Sequence, residues 1–109
     1  MAIPHAASGE LIDLSFPGPA PEAGSVTLVR DERFEIFRLE MPAGKALPEH
    51  EVPSLITIQC LRGRVEVSAH GRSQAMPAGF MMYIAGGEPH GVRALEDSSI
   101  LVTMRVNRE

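Results

Sequence analysis

From residue 25 onward the apolar residues come in short runs, each closed by glycine, proline or charged residues, at 25–30, 33–41, 55–62, 64–70, 80–84, 91–94 and 98–106. Runs this short with turn signals between them predict seven or eight strands, and no 12-residue stretch combines helical periodicity with capping signals. Two strands are read off directly. In 64–69, Val65, Val67 and Ala69 alternate with Glu66 and Ser68, which predicts one buried and one wet face. In 98–106, Ile100, Val102, Met104 and Val106 oppose Ser99, Thr103 and Arg105 in the same way. His70-Gly71 stands where a hairpin turn is needed, and the change of phase between Ile36 and Phe37 predicts a bulge. In 55–62 parity puts Ile56, Ile58 and Cys60 inside and Thr57 and Gln59 on the outer surface.

The first 24 residues read differently. Pro17, Pro19 and Pro21 forbid a helix over 16–21, so residues 1–24 are expected to form an arm, with an edge strand at 11–14, ahead of a single domain at 25–109. Ten glycines and nine prolines spread through 109 residues are the punctuation of an all-β sandwich or barrel. A hydrophobic fraction of 44% suffices for a core. Fourteen acidic against ten basic residues, a net charge of -4, argue against nucleic acid or an anionic membrane as partner. No apolar run approaches the roughly 20 residues of a membrane helix, and the first residues lack the signature of a secretory leader. The lone Cys60 makes neither an internal disulfide nor a cysteine-rich zinc site, and a cytoplasmic location is expected.

The chemistry rests on four histidines. His5 falls in the arm and His70 at a hairpin tip, where exposure is the plain expectation. His50 and His90 each follow a glycine-proline turn at the mouth of an apolar run. Glu49 and Glu51 flank His50, but strand alternation turns them to the opposite face. Met76, Met81, Met82 and Met104 are expected in the core or lining a pocket, and Cys60 is expected to be an inert small hydrophobe.

Two spacings resemble a known family. Gly44, His50, Val52, Ile56 and Gly63 stand at the positions of the first cupin motif, G-x5-H-x-H-x3-E-x6-G. Gly79, Ala85, Gly87, His90 and Ala94 stand at those of the second, G-x5-P-x-G-x2-H-x3-N, and residues 64–78 between the motifs match the short hairpin of small cupins. The resemblance covers about residues 34–106 and is closest to small single-domain cupins of the RmlC-like group. It implies a double-stranded β-helix, or jelly-roll, barrel of two antiparallel sheets, in which a full motif binds a divalent metal through three histidines and a glutamate.

This chain keeps two of those four ligands, His50 and His90, while Val52 and Ile56 occupy the other two positions. The pair is expected to converge, with ring nitrogens within about 5 Å. Two alternatives stay open: a divalent transition metal (zinc, nickel, iron or manganese) on His50 and His90, with Gln59 as a further candidate ligand, or a metal-free pocket anchored by the same pair. Three functions follow: a small-molecule-binding cupin, a metal-dependent enzyme of the dioxygenase, isomerase or decarboxylase type, or a structural module with a filled barrel. A homodimer is expected, because pairing across a two-fold axis covers an exposed edge strand.

Overall fold

The apolar runs fold as strands that form two antiparallel sheets. The computed structural model describes residues 5–14 and 24–106, with nine strands among them: β1 (Ser25–Arg30), β2 (Phe34–Met41), β3 (Ala46–His50), β4 (Ile56–Arg62), β5 (Arg64–Ala69), β6 (Arg72–Pro77), β7 (Met81–Ile84), β8 (His90–Ala94) and β9 (Ser98–Arg105). One sheet has the order β1-β2-β9-β4-β7 and the other β3-β8-β5-β6. No helix among the described residues is long and apolar enough to cross a membrane.

Alternation decides what lies between the sheets. Val65 and Val67 of β5, Ile56, Ile58 and Cys60 of β4, and Ile100 and Val102 of β9 are all buried and share one core with Met41, Met76, Ile84 and Val92. Thr57 and Gln59, one step out of phase with this set, are only half-buried. The β4 register is therefore the one its period-2 pattern predicts. Met76 joins the core and Met82 and Met104 pack against it, but Met81 is exposed. Met81 pairs with Gln59 and shares that residue's outward parity.

The turn at 70–71 carries positive φ at both residues, +54° at His70 and +72° at Gly71, the backbone of a two-residue type I′ hairpin. This turn fixes the β5–β6 register, in which Ala69 pairs with Arg72 and Val65 with Met76.

Three sequence expectations are corrected. The pairing of β2 with β9 runs unbroken from Phe34 to Met41, and the irregularity lies in the neighbouring strand, between Thr27 and Val29. Leu28 is the extra residue there, and its carbonyl accepts the Ala6 amide at 2.9 Å, so the segment before β1 takes up the bond the bulge leaves over. Residues 11–14 form no strand, and Leu11 is fully exposed. The third correction concerns β3 and β6, both at sheet edges, which the hydrophobic pattern did not announce. Edge position also explains how β3 tolerates Pro48, whose missing N–H costs no ladder bond on an open side.

Cys60 is fully buried, and its thiol lies 3.4 Å from the Arg62 carbonyl and 3.7 Å from that of Gly63. Burial, with the Glu96 charge adding to it, pushes the thiol pKa up from its ordinary value. The thiolate is the reactive form, so iodoacetamide at pH 7.5 is expected to label the native protein far more slowly than the urea-unfolded chain. Equal labelling rates would contradict this placement.

Candidate functional site

His50 ends β3 and His90 begins β8, and the two residues are direct cross-strand partners. Partners in an antiparallel pair project from the same face of the sheet, here the face turned to the other sheet. The ring centroids stand 4.6 Å apart with an interplanar angle of 53°. His90 is buried, at 2% exposure, while His50 is exposed, so the pair runs from the interior to the mouth of the site.

Backbone carbonyls set the chemistry of both rings. His50 Nδ1 lies 3.0 Å from the Pro48 carbonyl oxygen, and His90 Nδ1 lies 3.0 Å from that of Glu88. A carbonyl oxygen can only accept, so each Nδ1 carries a hydrogen and donates it, and in a neutral ring Nε2 is left with a lone pair. Neither Nε2 has a hydrogen-bond partner among the described residues. Glu88 is itself held, since its carboxylate accepts the His70 amide at 3.1 Å and lies 3.3 Å from His70 Nδ1. His70 thus serves the site at one remove, by tying the β7–β8 loop to the β5–β6 turn.

The two rings face a cavity of about 230 Å³ between the sheets. One wall comes from the five-stranded sheet: Phe37 and Leu39 of β2, Ile56 and Ile58 of β4, and Ile100, Val102 and Met104 of β9. The facing wall holds Leu47, Val92, His50 and His90, with Val52 from the loop after β3. Both polar side chains therefore stand together on one wall, and the opposite wall is apolar throughout. Sequence reading picked out the two histidines but not Phe37, Leu39, Leu47 or the Pro48 and Glu88 carbonyls. The alternation Phe37, Leu39, Met41 was the available signal for β2, whereas carbonyl directions depend on backbone angles that carry no residue-type mark.

The remaining candidate residues stand elsewhere. Glu49 lies in a groove on the outer face of the smaller sheet, with Glu66 and Arg93, as alternation from His50 requires. Glu51 is exposed and does not line the cavity. Gln59, paired with Met81 and Leu101, belongs to the outer parity of β4 and does not line it either. His5 is exposed in the segment before β1.

A resident metal is poorly served by these donors. The rings have the tautomer a metal would use, with Nδ1–H bonded to a carbonyl and Nε2 free. Val52 and Ile56, however, place hydrocarbon on the cavity wall where coordinating groups would be needed. Among the described residues no three histidine, cysteine, aspartate or glutamate side chains gather into a metal-binding group. Stable sites for zinc and its neighbours generally draw at least three ligands from the protein, so two imidazoles do not fit a resident metal.

No family model matches the chain, and no curated protein matches it. Solved structures do. An RmlC-like cupin protein from Desulfovibrio desulfuricans is 27% identical, with 93% of this chain and 97% of that one covered at a TM-score of 0.71. A conserved protein of unknown function from Streptococcus pyogenes is 20% identical over 100% of this chain and 96% of its own, at a TM-score of 0.78. The DMSP lyase DddQ from Ruegeria pomeroyi is 22% identical, with 78% of this chain and 47% of that chain covered and a TM-score of 0.69. These likenesses show the fold, and a fold does not by itself carry a function, so the site has to decide the function here.

Proposed function

Starting from a small domain of the cupin superfamily, we propose that this protein binds a small organic molecule in the cavity between its sheets, held by His50 and His90 without a resident metal. The observation that carries this reading is the pairing of two Nε2 lone pairs with a cavity of about 230 Å³ whose other lining side chains are all apolar. Ligand sites usually have this composition, an apolar lining with a few polar groups that fix orientation. A barrel filled by its own side chains would leave no such space. Catalysis on the bound molecule would draw on the same nitrogens as general bases. No acid or nucleophile stands beside them on the described cavity wall.

Elemental analysis of protein purified without chelators tests the metal-free half of the proposal. Metal is expected well below one equivalent per chain, in the wild type and in His50→Ala alike. One equivalent of zinc, nickel, iron or manganese that is lost in His50→Ala would contradict the proposal and restore the two histidines as ligands.

A further inference from the structure

The hydrogen-bond polarity of the cavity narrows the class of molecule it would take, an inference that rests on the binding function proposed above. Both Nδ1–H groups are committed to the Pro48 and Glu88 carbonyls, so two neutral imidazoles offer the ligand acceptors and no donors. A ligand that meets them must bring the hydrogen. A ketone, ether or carboxylate brings none and would set its own lone pairs against theirs, while a hydroxyl group supplies it. Toward two neutral rings a carboxylate would set its charge against their lone pairs with no hydrogen between them. Glu49 and Glu51 on either side of His50 and the net charge of -4 also oppose an anion.

The shape of the polarity excludes more. The wall facing the histidines is hydrocarbon from β2, β4 and β9, so a sugar or other polyol, polar on every side, would strand its far hydroxyls there. What fits is a molecule with hydroxyl on one edge and an apolar body on the other. Size sets the rest. An apolar cavity of about 150 Å³ holds benzene, so about 230 Å³ takes one ring with a few substituents and no second ring.

We infer that the cavity is built for a neutral monocyclic phenol or alcohol, with its hydroxyl oxygen beside the two Nε2 atoms, its one hydrogen donated to His50 or His90 Nε2 in turn, and its ring packed against β4 and β9. Phenol, anisole and benzoate at pH 7 separate the possibilities, since they share the ring and differ in donor and charge. Calorimetric titration of the full chain is expected to rank phenol at least about tenfold tighter than anisole, with benzoate weakest, and the phenol preference should fall at least threefold in His50→Leu, a change at an exposed position. Equal affinity for phenol and anisole, a lead for benzoate, or an unchanged preference in His50→Leu would overturn the hydroxyl inference while binding itself stood. Failure of all three probes to bind at millimolar concentration would overturn the binding function and this inference together.

Discussion

Replacing Gly63 by alanine is expected to lower the unfolding free energy by about 3 kcal/mol or more, from two sources that act at one position. Gly63 joins β4 to β5 at φ +81°, a backbone region that L side chains rarely adopt. A Cβ there would also press into the Asp97 carbonyl and the Ser98 hydroxyl and come within 2.9 Å of Ser98 Cα. These atoms cannot move aside cheaply. Ser98 Oγ accepts the Arg64 amide at 3.0 Å and donates to the Glu96 carbonyl at 2.7 Å, while the Asp97 carboxylate accepts the Ala43 amide at 2.8 Å. For a domain of this size the change should appear as a fall in Tm of more than about 10 °C. A loss below about 0.5 kcal/mol would contradict the tight β4–β5 turn at Gly63.

Truncating Ile58 to alanine should cost about 3–4 kcal/mol. Ile58 is 1% exposed and stands between the core and the cavity, so the change removes three carbons worth roughly 0.8 kcal/mol each and enlarges a space that already exists. The surrounding strands cannot collapse into it, because Ile58 is paired with Met82 on one side and Val102 on the other. Thr57→Ala, one residue away on the outer parity, should stay below about 1 kcal/mol in the same urea titration. Similar losses at the two positions would contradict the register of β4.

The contrast between these neighbours also shows why so much of the fold was legible. Period-2 alternation is a direct imprint of a sheet with one buried face, and it marked β4, β5 and β9 to within a residue or two. β3 and β6 left no such imprint. In Ala46–His50 only Leu47 escapes exposure, and in Arg72–Pro77 only Met76 is buried, because each strand closes an edge of its sheet. The phase change at Ile36 marks no break in β2, whose pairing with β9 is continuous; the irregularity opposite it is the extra residue Leu28 of β1, of which the sequence of β2 carries no trace. The histidine pair was legible because the two motif spacings bring residues 40 positions apart onto paired strands. The orientation of each imidazole was not, since it depends on the Pro48 and Glu88 carbonyls.

His50 and His90 present their Nε2 acceptors to an apolar cavity. Long-range proton–nitrogen NMR of the ¹⁵N-labelled protein reads the protonation of each ring nitrogen and so tests it most directly. In the neutral form of each ring the hydrogen is expected on Nδ1, with Nε2 bare. A hydrogen on Nε2 of either ring, with Nδ1 bare, would contradict it.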